Sequence, residues 1–257
     1  MGRGSSKAGG GGGGVTPVAT PVATPAPMPS EDDVKKGNIL PPGGVAFSDF
    51  EQMTDDEKAD VITAAMAAGV PMFLENSAMQ HFAYFTGMSD KPTVVADSAL
   101  DQMAGEDIFR TVNNAYNRQL DMGYTSSDIA KQIMYGDYTM YSDSGGSAYG
   151  KAIYFANNYR ESALYGSGSS AMTMRAKVTG KTISTSQLQS DYRHALMRGD
   201  KLAKAVSASG GDKNLFALAK GYDVVTDAGS GYRMVLNRRG ITCSSTVKPT
   251  NYGGGKW

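Results

Sequence analysis

The 257-residue chain contains a single cysteine, two histidines and no excess of either charge. The lone cysteine, Cys243, excludes an internal disulfide bond and any cysteine-based zinc site. His81 and His194 have no companion ligands at metal spacing, so we expect packing or surface roles for them and no metal site. Because 25 lysines and arginines balance 25 aspartates and glutamates, no global charge favours binding to nucleic acid, and an RNA substrate is disfavoured.

Long apolar runs are missing as well. No stretch approaches the roughly 18 residues that are needed to cross a bilayer, and the N-terminus lacks the apolar segment of a signal peptide. We therefore expect a soluble protein that is made in a cytoplasm and has no membrane partner.

Proline is rare outside the N-terminal part of the chain. Seven of the ten prolines and eleven of the 32 glycines lie within the first 45 residues. That composition cannot bury enough apolar area to offset chain entropy. We predict a disordered tether over 1–45, a small helical segment over 46–104, a folded domain over 105–243 and a flexible tail over 244–257.

The helical segment contains residue patterns that are typical of helix N-termini. Thr54-Asp55-Asp56-Glu57 forms a capping box, Ser77 and Gln80 repeat its spacing, and Gly87 is expected to end the second helix. After residue 105 the apolar period changes. There the pattern predicts strands over 107–112, 152–156, 171–178, 222–226 and 232–237, and helices over 126–135, 158–165, 186–206 and 215–220. Strands mixed with segregated helices predict an α+β domain with a mostly antiparallel sheet.

The most specific motif is Tyr149-Gly150-Lys151-Ala152-Ile153-Tyr154-Phe155-Ala156, which is followed by Ser162-Ala163-Leu164-Tyr165. Together with Phe109-Arg110-Thr111-Val112 and Tyr141-Ser142-Asp143-Ser144, it resembles the ADP-ribosyltransferase superfamily. The tyrosine motif is similar to that of poly-ADP-ribose-polymerase-like members, and Arg110 is similar to the arginine of the Arg-type first strand. The resemblance spans residues 105–242. It implies a split antiparallel sheet with flanking helices and NAD as the substrate.

The resemblance also implies a role for individual residues. Arg110, with Thr111 beside it, is expected to hold the phosphates or a ribose of NAD, because a planar guanidinium offers paired donors. By the same resemblance, Gly150 is expected to let the backbone approach the ligand closely. The rings of Tyr154 and Tyr165 are expected to pack on the two sides of the cationic nicotinamide ring, which the aromatic quadrupoles favour.

Two further residues belong to the implied site. Ser142 is expected to hold the frame of the site and orient a ribose, and Phe155 is expected to line the cofactor site beside Tyr154. Interpretations without a ligand stay open. Arg110 could be a strand-end arginine that pairs with Asp107, Tyr154 and Phe155 could be sheet core, and Ser142 could belong to a turn.

The sequence departs from the family pattern at the last predicted strand. Family members usually begin this strand with a glutamate that stabilises the oxocarbenium-like transition state, and here Gly231 or Tyr232 stands in its place. A preorganised charge at such a centre is worth several kcal/mol. We hypothesise that Asp227, in the loop before the strand, supplies the acid, with Asp223 and Glu161 less suitably placed.

These features predict NAD-dependent transfer of ADP-ribose to a host macromolecule, with a host protein as the acceptor. The opening residues and the helical segment resemble bacteriophage and prophage proteins, in which such domains occur as effectors. That origin implies residence in the cytoplasm of a host bacterium or on the virion. The alternative is a non-catalytic phage structural or interaction protein on a decayed transferase-like fold, which the missing glutamate and the long tether favour.

Overall fold

A computed structural model describes residues 40–68, 77–112, 125–136, 150–164 and 170–250. The α-helices within these ranges are α1 (Phe47–Gln52), α2 (Asp55–Ala67), α3 (Ala78–Thr86), α4 (Asp97–Gln102), α5 (Ser126–Tyr135), α6 (Tyr159–Leu164), α7 (Thr185–Arg198), α8 (Lys201–Ala208) and α9 (Lys213–Ala219). The strands are β1 (Thr93–Val95), β2 (Asp107–Val112), β3 (Ile153–Ala156), β4 (Met172–Val178), β5 (Thr182–Ser184), β6 (Val224–Thr226), β7 (Tyr232–Val235) and β8 (Ile241–Pro249). None of the described helices is long and apolar enough to cross a membrane.

The strands form one sheet in the order β1-β8-β4-β2-β3-β7-β6-β5. The β1–β8 and β5–β6 pairs are parallel, and the other five pairs are antiparallel. The fold is therefore α+β with a mixed sheet, which confirms the predicted class. The sheet is mixed because β1 and β5, which the sequence analysis did not predict, each join an edge in parallel.

The predicted helix signals take the expected form. The Thr54 hydroxyl accepts from the Glu57 amide, and the Glu57 carboxylate accepts from the Thr54 amide, so the capping box is complete. The Ser77 hydroxyl accepts from the Gln80 amide at the start of α3, and Gly87 ends that helix at a φ of 59°. These caps satisfy backbone groups that have no partner within the helix.

Strand β2 is paired along its whole length on one side and at a single residue pair on the other. Six residue pairs join it to β4, from Asp107–Lys177 to Val112–Met172. A single pair, Phe109–Ala156, joins it to β3. The sheet consequently parts between β2 and β3 immediately after Phe109, and we call this place the split.

The helical segment and the tail are both part of the sheet domain. Strand β1 lies within 46–104 and pairs with β8, and β8 continues to Pro249, past the predicted domain end at 243. One hydrophobic core contains Phe50 and Phe82 from the helical segment together with Cys243 of β8. The structure therefore places no boundary at residue 105 or at residue 243, because the core and the β1–β8 ladder cross both positions.

Arg238 lies in the short 3-10 turn Arg238–Gly240, directly before β8. The side chain is buried. Its guanidinium donates to the carbonyl oxygens of Gln132, Ile133 and Gly136 at the end of α5, and to that of Ser89. A cation at a helix C-terminus is also favoured by the helix dipole.

Candidate functional site

Gly150 begins the site, and its conformation depends on α9. Its φ is +96°, which favours glycine. A Cβ atom there would lie 2.6 Å from Asp212 Oδ1 and 2.7 Å from Asn214 Nδ2. The Asp212 carboxylate accepts from the Lys151 amide at 3.1 Å, and the Asn214 side-chain amide donates to the Lys151 carbonyl oxygen. The start of α9 thus fixes the backbone that leads into β3.

The Asp212 carboxyl is buried behind this backbone. Burial raises its pKa above the ordinary value, against the lowering effect of the backbone amides of Lys151, Asn214 and Leu215 and of the Lys151 charge. The carboxyl accepts from the backbone amide of Lys151 on one side and from that of Asn214 on the other. It therefore anchors the loop and is not aimed into the split.

Tyr154 is tied to this anchored loop. Its hydroxyl donates to the Gly150 carbonyl oxygen at 2.5 Å. Its ring meets the edge of the Tyr232 ring, with centroids 5.9 Å apart and planes at 84°. The side chain is half-buried and packs against the hydrophobic core.

Phe155 points the other way because side chains alternate across a strand. It is 1% exposed and belongs to the hydrophobic core with Ile153 and Val235. Of the two aromatic residues predicted to line the site in β3, Phe155 therefore lies within the core, whereas Tyr154 is half-buried and packs against it. Only the backbone of Phe155 is available to a ligand.

Arg110 bridges the split. Its Nη1 donates to the Tyr154 carbonyl oxygen at 2.9 Å, where the ladder between β2 and β3 has already ended. A side chain thus makes the hydrogen bond that a strand amide would make in a continued ladder. Asp107, the partner considered in the sequence analysis, instead pairs with Arg175 at 2.9 Å and lies 3.7 Å from the Lys177 ammonium.

Thr111 lies on β2, across the split from Tyr154 of β3. Continuing the Phe109–Ala156 register by two residues would set Thr111 opposite Tyr154. The Thr111 hydroxyl contacts that of Ser162 on α6 at 2.9 Å and that of Thr173 on β4 at 2.8 Å. Thr173 in turn contacts Thr250. A row of hydroxyl groups therefore begins at the split and runs across β4 to the end of β8.

Ser162 and Tyr232 are two residues of this site that the sequence analysis did not select. Ser162 stands three residues before Tyr165 in the quoted Ser-x-x-Tyr segment, so the motif itself contained the signal. Tyr232 was noted only as a replacement for the expected acid. No sequence signal indicates its ring contact with Tyr154, because the contact depends on the register between β3 and β7.

Asp227 holds the turn between β6 and β7. Its Oδ2 accepts from the Ser230 amide and hydroxyl, and its Oδ1 accepts from the Thr185 hydroxyl at 2.8 Å. Hydrogen bonds from Ser230 and Thr185 lower its pKa. The turn meets β3 through the Asn157 amide, which donates to the Gly231 carbonyl oxygen. No described contact joins the Asp227 carboxylate to Arg110 or Tyr154.

The structure thus joins Arg110 to Tyr154 and Tyr154 to Gly150 by hydrogen bonds, places Thr111 beside Arg110 in β2, and leaves Asp227 in the neighbouring turn. Ser142 and Tyr165 lie outside the described residues. Within the described ranges, no group of three or more His, Cys, Asp or Glu side chains is arranged to hold a metal ion. No protein-family model, curated protein or solved structure matches this chain.

Proposed function

We propose that this chain binds NAD in the split between β2 and β3 and transfers ADP-ribose to a macromolecule of a host bacterium. One observation carries the proposal: the Arg110 guanidinium crosses the split to the Tyr154 carbonyl oxygen, and Thr111, the next residue of β2, lies opposite Tyr154 in the continued register. A cation, a half-buried aromatic ring and a hydroxyl are groups that can bind the phosphates, the cationic base and a ribose of a dinucleotide. The resemblance in Phe109–Val112 and Tyr149–Ala156 supports the same ligand.

Each group has a task in this proposal. Arg110 pairs with the diphosphate, since its fork of donors matches two phosphate oxygens. Tyr154 packs against the nicotinamide ring, with Tyr165 on the other side. Thr111 and Ser162 offer hydroxyl groups to the polar edge of the ligand. The Gly150 carbonyl oxygen, by accepting from the Tyr154 hydroxyl, limits rotation of the phenol and reduces the entropy that binding must remove.

The reaction is a substitution at the anomeric carbon of the nicotinamide ribose. The bond from C1′ to the ring nitrogen breaks, and nicotinamide leaves with the bonding electron pair. The acceptor nucleophile forms the new bond to C1′ and gives its proton to solvent or to a base. A carboxylate near C1′ stabilises the positive charge that develops there, and we assign this task to Asp227.

The assay uses the full chain with bacterial lysate and NAD that carries label in its adenylate half. We expect acid-stable label on a protein band, whereas NAD that is labelled in nicotinamide should release its label. Arg110→Met should reduce transfer by about a hundredfold. The matched control is Arg160→Met, which alters an exposed arginine on α6. Equal transfer by both variants would contradict the proposed role of Arg110.

The assignment of the acid has its own test. Asp227→Asn should leave the affinity for NAD within about twofold and reduce turnover by about a hundredfold or more. Asp191→Asn, on α7, is the control. Unchanged NAD turnover in Asp227→Asn would dismiss Asp227 as the acid without affecting the proposed binding site.

A specific observation favours the second candidate, a non-catalytic structural or interaction protein. Both carboxylate oxygens of Asp227 already accept hydrogen bonds from Thr185 and Ser230 within the turn, so the assigned acid is engaged in holding the fold. Titration calorimetry separates the candidates. Binding of NAD at millimolar concentration or below supports the transferase, and absence of binding at millimolar NAD supports the structural protein.

A further inference from the structure

A cavity of about 380 Å³ lies at the β5 edge of the sheet, between β5, α7 and α9. It shares no residue with the split, from which β7 and β6 separate it in the sheet order. Leu188 and Phe216 form apolar walls and are each 3% exposed, and Ile183 and Tyr222 complete the apolar part. The volume lies within the range of small-molecule sites.

The charged groups around this cavity are unequally neutralised. Arg198 pairs with Asp200 at 3.2 Å. Lys220 pairs with Asp55, a residue outside the cavity lining. Lys181 has a different environment, because its Nζ lies 4.4 Å from the centroid of the Tyr222 ring. Within the ranges that the structure describes, no carboxylate forms an ion pair with it.

The charged side chains that line the cavity leave one cation in excess. The cations are Lys181, Arg198 and Lys220, and the carboxylates are Asp191 and Asp200. Asp191 accepts from the side-chain amide of Gln187. An anion that entered the cavity would therefore meet a small excess of positive charge, with Lys181 as its partner.

We propose that this cavity binds a small aromatic anion. Its ring would lie against the half-buried Tyr222, beside the apolar lining residues Ile183 and Leu188. Its anionic group would pair with the Lys181 ammonium, which already lies over the aromatic ring, with His194 at the rim as a second polar neighbour. This proposal is independent of NAD binding, because none of these residues belongs to the split.

The test is a titration of the full chain, labelled with ¹³C in its isoleucine and leucine methyl groups and observed by NMR. The first probe is naphthalene-2-sulfonate, which combines a ring with an anion. Naphthalene-2-sulfonamide keeps the ring without the charge, and methanesulfonate keeps the charge without the ring. We expect the first probe to shift the methyl signals of Ile183 and Leu188 and to bind at least about fivefold more tightly than either of the others.

Two lysine variants test whether Lys181 is the cation that binds the anionic group of the probe. Lys181→Gln should weaken binding of naphthalene-2-sulfonate about fivefold, in keeping with the loss of one partly exposed charge contact. Lys213→Gln makes the same change at an exposed position of α9 outside the cavity lining and should leave binding unchanged. Absence of methyl shifts at millimolar probe, equal binding of the sulfonamide, or equal weakening by both variants would overturn the proposal.

Discussion

Arg238 and Arg110 both donate to backbone carbonyl groups, in opposite surroundings. Arg238 is 4% exposed and donates to carbonyl groups of α5 and of the chain before β1. Arg110 is half-buried and donates to the Tyr154 carbonyl oxygen where the β2–β3 ladder has ended. The comparison shows two uses of the same side chain. Arg238 joins α5 to the chain before β1 within the core, and Arg110 joins β2 to β3 where their ladder has ended. We expect mutations to separate these uses.

The largest effect should come from Arg238→Met. The substitution removes the donor to the buried carbonyl group of Ile133 and to the part-buried carbonyl groups of Gln132 and Gly136, so we expect the free energy of unfolding to fall by about 3–5 kcal/mol. That is a large share of the stability of an ordinary domain. Urea denaturation measures it. Arg193→Met, on the exposed side of α7, is the control, and a loss below about 1 kcal/mol for Arg238→Met would break the comparison.

Gly150→Ala should have the next largest effect and tests how the split is anchored. The added methyl group meets Asp212 and Asn214 and the backbone has a positive φ, so we expect a loss of about 2–4 kcal/mol in unfolding free energy. Gly221→Ala is a matched control, because its φ is +78° and nothing lies within 4 Å of an added Cβ. It should cost about 1 kcal/mol. Equal losses would show that contact with α9 does not constrain Gly150.

Arg110→Met should affect stability less, by about 1 kcal/mol, because it removes a hydrogen bond to the Tyr154 carbonyl oxygen from a half-buried position. Its main effect should be on NAD, with a dissociation constant raised by about tenfold or more. Calorimetry with NAD and urea denaturation of the same samples measure the two quantities. Arg238→Met should show the reverse pattern, with affinity per folded molecule unchanged. A variant of Arg110 that loses stability but keeps its NAD affinity would show that both arginines are structural.

Strands and helices with strong local signals were predictable from the sequence. The bounds predicted from the apolar pattern for β2 and α5 agree with the structure to the residue. Strands β1 and β5 were missed because each has three residues and is held by a partner far along the chain. Residues 244–249 of β8 were predicted as part of the flexible tail, because Ser244, Ser245 and Thr246 interrupt the apolar pattern of the strand. In the sheet, Ser244 is buried and bonded to Asp97, a partner that no local pattern reveals.

The candidate site was predictable in its residue types and only partly in its arrangement. The motif around Tyr154 and the position of Arg110 in its strand are local features, and the structure joins these two residues directly. The burial of Phe155 follows from strand alternation once the facing of Tyr154 is known. The turn that engages Asp227 depends on contacts with Ser230 and with Thr185 in α7. The second of these contacts requires the tertiary fold.

Asp227→Asn should have the smallest effect on stability and extends the comparison to a carboxylate. Donation by Ser230 and Thr185 lowers the pKa of Asp227 below its ordinary value, so the ionised form stabilises the fold. This contribution is present above the unfolded pKa of about 4 and is lost as the pH falls through the lower folded pKa. At pH 7 we expect the variant to lose less than about 1 kcal/mol, and the difference between the two proteins should shrink as the pH falls below 4. Ser230→Ala removes a donor to the same oxygen, so its cost should not add fully to that of Asp227→Asn. A stability difference that persists unchanged at pH 2.5 would show that the turn does not depend on the charge, which would leave that charge available for chemistry at the split.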